Sequence, residues 1–353
     1  MDATLQLTDP VFRPVARRSG FDKLALQLIN DERDLPFIRH TILLTLIVVP
    51  VSAYFYLSGH FSWWIAFAYW VVVFAALLGP YILMLHNISH RPLFKPEYKW
   101  ASNYIGWFLG PFFGETPNTY YVHHVGMHHP ENNLEDDLSC TMPYQRDSLI
   151  AFLRYLVRFY VIGFPELALY MWRRRRFKLF RRMIIGELTF YLVMMVLLWL
   201  DWRATVVLFI APLIVGRFAM MAGNWGQHAF IDRDDPGNCY RNSITCINSG
   251  YNRRCFNDGY HIGHHIKQNR HWTEMPEDFL RNRETYLREG AIVFRKIDFV
   301  TVWLILMLKR YDWLANFYVP LGADRPSHDE IVRLLRRRTA RISHSEGAAA
   351  VAV

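Results

Sequence analysis

Apolar residues along the chain gather into two pairs of long runs. The first pair is TILLTLIVVPVSAYFYLS (41–58) and SWWIAFAYWVVVFAALLGPYILML (62–85), parted only by GHF. The second is MIIGELTFYLVMMVLLWL (183–200) and ATVVLFIAPLIVGRFAMMAG (204–223), parted by DWR. A bilayer-crossing helix needs about 20 mostly apolar residues, and links this short force each pair to cross and return as a hairpin. The pattern predicts an all-α integral membrane protein with four transmembrane helices. Glu187 and Arg217 are the charges inside these runs; such groups either face a bundle interior or snorkel to the surface.

Basic residues set the orientation. Arg33 and Arg39 precede the first hairpin, and Arg91, Lys95 and Lys99 follow it. Arg173 to Arg176, Lys178, Arg181 and Arg182 precede the second, with Arg233 and Arg241 after it. The two links hold a single arginine. Both termini and the long middle segment are therefore expected in the cytosol, at the plasma membrane or the endoplasmic reticulum alike. This gives a cytosolic N-terminal segment (1–35), a membrane domain (36–320) with a helical cytosolic cap over 86–182 and 224–320, and a tail (321–353) with a disordered end.

Two weaker runs lie in the middle segment. YIGWFLGPFFG (104–114) is too short to span. LIAFLRYLVRFYVIGFPELALYMW (149–172) is interrupted by Arg154, Arg158 and Pro165, which suits a helix lying along the membrane surface. By length alone it would also serve as a fifth span, but an odd number of crossings would divide the histidines discussed below between the two sides. A further apolar stretch, 297–319, reads as a docked helix.

Composition agrees with a mixed object. Of 353 residues, 52% are hydrophobic and 16% aromatic, with Lys and Arg exceeding Asp and Glu by 40 to 31. In a membrane protein that excess speaks for lipid headgroups or an acidic partner, not for nucleic acid. Cys140, Cys239, Cys246 and Cys255 show no CxxC spacing and suit reduced thiols facing the cytosol. The N-terminus has no apolar core of a signal peptide.

Fifteen histidines supply the candidate chemistry. HNISH places His86 and His90 directly after the second run, four apart and so on one helix face. HHVGMHH gives His124, His128 and His129, with His123 adjacent; NWGQH gives Asn224 and His228 directly after the fourth run; GYHIGHH gives His261, His264 and His265. Clustered neutral imidazole suits Zn, Cu, Fe or Ni. Nine ligands exceed one four-coordinate zinc but divide between two ions with positions left open. A transporter would bury its ligands at mid-bilayer, whereas these lie past the helix ends. A non-enzymatic histidine-rich membrane protein is the remaining alternative.

In order and in placement around two hairpins, H-x3-H, H-x3-HH, N-x3-H and H-x2-HH resemble the integral-membrane fatty acid desaturase and hydroxylase superfamily. GYHIGHHIKQNRHWTEMP is especially similar to its third histidine box. The resemblance, over about 40 to 280, implies two non-haem iron ions that activate O2. Carried over residue by residue, it implies His86, His90, His124, His128, His129, His228, His261, His264 and His265 as ligands, with Asn224 reaching a metal through water. His123 has no counterpart and stands next to His124, so either fills that position.

Such a centre oxidises an unactivated C–H bond of a lipid acyl chain, the chemistry belonging to the cofactor. Loss of a second hydrogen from the next carbon gives a double bond; oxygen insertion gives an alcohol, as in fatty acid or alkane hydroxylases. The third box and its HWTEMP tail favour the double bond. An apolar channel is expected near aromatics such as Trp107, Phe112 and Trp225, which equally suit packing. Of Glu131, Glu135, Asp136 and Asp137, one is a candidate hydrogen-bond partner for a ligand histidine, solvated loop charge being the alternative. No HPGG-type segment or flavin fingerprint occurs in the chain, so electrons must come from a separate ferredoxin or cytochrome b5-type donor. The run RRRRFKLFRR (173–182) offers such a donor a basic face, or simply anchors the next span against anionic lipid.

Overall fold

The computed structural model describes residues 5–343. The chain divides into two compact units: Phe12–Val125 with Ala168–Phe218, and the chain before Phe12 with Gly126–Leu167 and everything from Ala219 onward. Its long helices are α1 (Leu35–Leu57), α2 (Trp63–His90), α3 (Leu149–Arg173), α4 (Phe177–Leu200) and α5 (Trp202–Gln227). Among the described residues, α1 with its leading turn, α2, α4 and α5 are the four long and apolar enough to cross a membrane. These match the four runs expected, each extended a few residues.

Local chemistry explains the ends. Pro36 sits in the first turn of α1, where its missing N–H has no partner to lose. Asp201 caps α5, its carboxylate accepting from the N–H groups of Arg203 (2.8 Å) and Ala204 (3.1 Å). In both α2 and α5 a proline follows a π turn: Val73–Leu77 before Pro80, and Val206–Ile210 before Pro212. The wider turn accommodates a ring that would otherwise crowd the carbonyl four residues back. Trp64 and Trp199, each 84% exposed, stand at the link ends of their helices, where aromatic side chains favour the membrane interface.

In the first unit, the stretch after α2 packs against the spans. Phe113 stacks on Tyr81 at a centroid distance of 4.4 Å, and the Tyr81 hydroxyl donates to the Ile105 carbonyl (2.8 Å). Phe112 is buried against Phe209. A side chain at Gly186 of α4 would strike the Pro117 carbonyl, so glycine is what permits this approach. The next residue, Glu187, is 1% exposed. It accepts from the hydroxyls of Thr116 and Thr119 (2.7 Å to the latter), with Arg217 at 3.9 Å. Of the two fates expected for these intramembrane charges, Glu187 takes the interior one.

The second unit is built around a small sheet that the all-α expectation does not contain. Strands β1 (Ile244–Ile247) and β2 (Ile292–Arg295) pair in parallel, Ile244 opposite Ile292. With Phe230, Phe299, Val302 and Leu314 they form a buried core. The apolar stretch expected as one docked helix is two, Phe299–Met307 and Tyr311–Phe317, broken where Lys309 adopts a positive φ. Arg146, fully buried, donates to the carbonyls of Ala229 (3.0 Å), Arg338 (3.0 Å) and Ala340 (2.6 Å). It thereby ties the C-terminal helix His328–Arg338 to the loop after the second histidine group. The tail end expected to be disordered lies largely outside the described residues.

Candidate metal centre

Each unit presents its own imidazoles. In the first, His86 and His90 lie on the last turn and a half of α2, and His124 follows the short helix Thr119–His123. The His124 ring stands 4.5 Å from that of His86 and 5.0 Å from that of His90 between centroids, and the His124 and His90 Nε2 atoms are 3.0 Å apart. Of the adjacent pair His123 and His124, it is the latter that meets the first group.

In the second unit, His128, His228, His261 and His265 converge. One ring nitrogen of each lies within 4.8 Å of the others, and all four residues are buried. Nε2 of His261 is 3.0 Å from that of His265 and 3.3 Å from that of His228. His129 and His264 form a further pair, Nε2 to Nε2 2.9 Å. Burial first, and neighbouring imidazoles second, push His228 down to about 4 and His261 well below the usual histidine range. These rings are neutral at physiological pH, the form that ligates.

The outer nitrogen of His128 has a defined partner. Asp137 is buried, and its carboxylate accepts from the N–H groups of Asn133 and Ser139 (both 2.8 Å) and from the Ser139 hydroxyl (2.6 Å). It therefore faces His128 Nδ1, at 2.7 Å, as an acceptor. His128 Nδ1 therefore carries a proton, which leaves Nε2 as the ring atom that can coordinate on the side of the group. Of the four acidic residues singled out in the loop, Asp137 is the one that takes this role; Glu135 and Asp136 are exposed.

The third histidine group is the short helix α6 (His261–Ile266), set beside β1. The Cys246 N–H donates to the Gly259 carbonyl (2.7 Å), and a Cβ at Gly259 would strike both the Cys246 carbonyl and the Asn252 side chain. That close approach delivers Tyr260 and His261 to their places. An N-terminal contact holds them: Asp9, 6% exposed, accepts from the Tyr260 hydroxyl (2.6 Å) and the Asn248 N–H (2.7 Å). Asn224, one turn before His228, donates its amide to the Ser139 carbonyl (3.0 Å) and the Tyr155 hydroxyl (2.8 Å). Trp225 is interior, its ring among Tyr144, Phe152 and Tyr155 and its N–H on the Arg146 carbonyl (2.8 Å). Phe112 is likewise buried.

The family model for fatty acid desaturases matches residues 61–296, more than half of the chain. The chain belongs to the fatty acid desaturase family. It is thus a membrane oxidoreductase of the desaturase and hydroxylase kind, in a family whose members carry two iron ions. No curated protein and no solved structure matches the chain. The residues fit such a metal: four buried imidazoles converge, and His128 has its Nδ1 proton directed away from the group.

Sequence reasoning did not find Asp9, Asn133 or Asn242, which hold this frame in place. A single Asp or Asn carries no pattern, even where, like Asn133, it lies four positions after a histidine. Only the positive-φ preference of asparagine hinted at the tight turn Asn132–Asn133.

Proposed function

We propose that this desaturase-family protein introduces a double bond into a fatty acyl chain, using O2 and electrons from an external ferredoxin or cytochrome b5-type donor. His86, His90, His124, His128, His129, His228, His261, His264 and His265 are the iron ligands, with Asn224 reaching a metal through water. His128, His228, His261 and His265 hold one ion. The observation that carries this is the convergence of four buried imidazoles whose first member, His128, is held in the ligating tautomer by Asp137.

Bound iron supplies the oxidising power for an unactivated C–H bond. The chain's own groups prepare the place for it. Asp137 keeps a proton on the outer nitrogen of His128, so the ring would bind through Nε2. Burial of the four rings excludes bulk water. The Asn224 amide nitrogen is committed to Ser139 and Tyr155, leaving its oxygen to accept from a water on the metal. The third group and its HWTEMP tail favour desaturation over hydroxylation.

Both termini lie in the cytosol on this reading, and α3 lies along the membrane surface. Its exposed side chains Ile150, Leu153, Val157 and Val161 are apolar and are flanked by Arg154 and Arg158. The exposed residues Arg173 to Arg175, Lys178 and Arg181 give an acidic donor protein or anionic lipid a basic face.

The test is gas chromatography–mass spectrometry of lipids from cells making the protein together with a donor, against cells making His264→Ala. New unsaturated chains that vanish in the variant are expected. Hydroxylated chains would move the reaction to the alcohol branch at the same site. Unchanged lipids with a zinc-loaded purified protein would sink the enzyme reading.

A further inference from the structure

Two buried asparagines stand behind His228, both fully enclosed: Asn133 and Asn242. Their amide orientations follow from their partners. One terminal atom of Asn242 lies 2.7 Å from the Asn132 carbonyl and 2.8 Å from the Pro236 carbonyl. Backbone carbonyls only accept, so that atom is the NH2 group. The other atom is the oxygen, and it lies 3.0 Å from His228 Nδ1 and 3.1 Å from Asn133 Nδ2. Asn133 is fixed in the same way. One of its terminal atoms accepts from the Thr141 N–H (2.8 Å) and is the oxygen, so the atom facing Asn242 is its NH2.

The consequence reaches the imidazole. An oxygen already receiving a proton from Asn133 faces His228 Nδ1, and the Asn242 main-chain carbonyl approaches the same nitrogen at 3.0 Å. Both groups accept, so Nδ1 must donate, and Nε2 is left bare on the side of His261 and His265. The frame also reaches a second ring. The Asn133 N–H donates to Asp137 Oδ2, the oxygen that receives His128 Nδ1, and the Thr141 hydroxyl donates to the His228 carbonyl (2.8 Å).

We infer that Asn242 is a positioning residue for the metal centre: its side chain, steadied by Asn133, sets the tautomer and ring orientation of His228 and couples that ring to the Asp137–His128 pair. This rests on the reading of His228 as a ligand. Asn242→Ala removes the side-chain acceptor and also the two NH2 anchors of the turn that presents the main-chain one.

The experiment compares iron retention in purified full-length wild type, Asn242→Ala, Asn242→Asp, Asn133→Ser and His228→Ala. Each is titrated with a chelator, with size-exclusion profile and apo-protein Tm measured in parallel. A cobalt-substituted sample of each gives a ligand-field spectrum. Asn242→Ala is expected to stay monodisperse, lose one ion about 10- to 100-fold more readily, and show an altered cobalt spectrum. Asn242→Asp keeps an acceptor before His228 Nδ1 but turns its second oxygen to the Asn132 and Pro236 carbonyls; it should therefore lower the apo-protein Tm yet hold iron better than Asn242→Ala, a separation that a purely structural residue would not show. Asn133→Ser should give a smaller loss of the same sign, and it decides the matter if Asn242→Ala does not fold. Wild-type iron retention and an unchanged cobalt spectrum in a folded Asn242→Ala or Asn133→Ser protein would overturn the proposal. Full iron in His228→Ala would instead overturn the ligand assignment itself.

Discussion

Asp137 Oδ2 lies 2.7 Å from Nδ1 of His128, in a pair whose side chains are almost wholly excluded from solvent. Both Asp137 oxygens are occupied by donors, so neither can be exchanged for an NH2 group without setting donor against donor. Asp137→Asn therefore disturbs the loop and the ring together, despite its equal size. Metal affinity should fall about 10- to 100-fold, with product formation following it. Chelator titration of the purified variant checks this, and wild-type retention would show that the contact is incidental.

His123 and His124 are adjacent, and a spacing rule does not choose between them. The His124 ring meets His86 and His90, with its Nε2 3.0 Å from that of His90. His124→Ala should abolish product in the lipid assay. His123→Ala should keep at least about a tenth of wild-type turnover, the loss seen on removing a supporting group. The reverse order of effects would exchange the two assignments.

How legible each part was depended on how many residues carried the signal. The spans were legible because twenty apolar side chains in a row leave little choice, and the four runs became α1, α2, α4 and α5. The histidine groups were legible because imidazole is scarce and the spacings repeat. The sheet was not. ITCI and IVFR are four residues each and fully buried over most of their length, so they show neither alternation nor helical period. Asp9 and Asn242 were also hidden, since each acts through residues distant in the chain, Asp9 with one 251 positions away and Asn242 with one 110 away. Glu187 stood out by its charge, but only packing shows which of its two fates it takes.

Glu115 lies beside the Glu187–Arg217 pair. Burial raises its carboxyl to about 8, an effect that Arg217 opposes and Glu187 reinforces. In the unfolded chain the same carboxyl titrates near the usual value of about 4.3. Between these values the folded protein holds a proton that the unfolded chain has lost. Stability accordingly falls as pH rises through this window, by on the order of 5 kcal/mol in all. Glu115→Gln cannot lose a proton, so its Tm should exceed that of wild type at pH 8 to 9 and approach it near pH 5. Thermal unfolding of the detergent-solubilised protein across that range checks the sign. Parallel pH profiles for the two proteins would show that Glu115 is ionised when folded.

Arg146 joins several chain segments of the second unit. Besides Ala229, Arg338 and Ala340, its guanidinium approaches the carbonyls of Thr141 (3.4 Å), Met142 (3.2 Å) and Tyr144 (3.4 Å). Burial lowers its pKa to about 10, still well above neutrality, so it remains a cation surrounded by carbonyl dipoles. Lysine has one nitrogen and cannot reach acceptors on three chain segments at once. Arg146→Lys should therefore leave several carbonyls unpaired and destabilise the protein by about 3 kcal/mol or more, whereas Arg154→Lys on the exposed face of α3 should change little. The Thr141 and Ala229 carbonyls also flank the contact from Thr141 to His228. For that reason Arg146→Lys should lose iron at temperatures below its own unfolding transition. Iron release that coincided with global unfolding would show the junction to be structural alone.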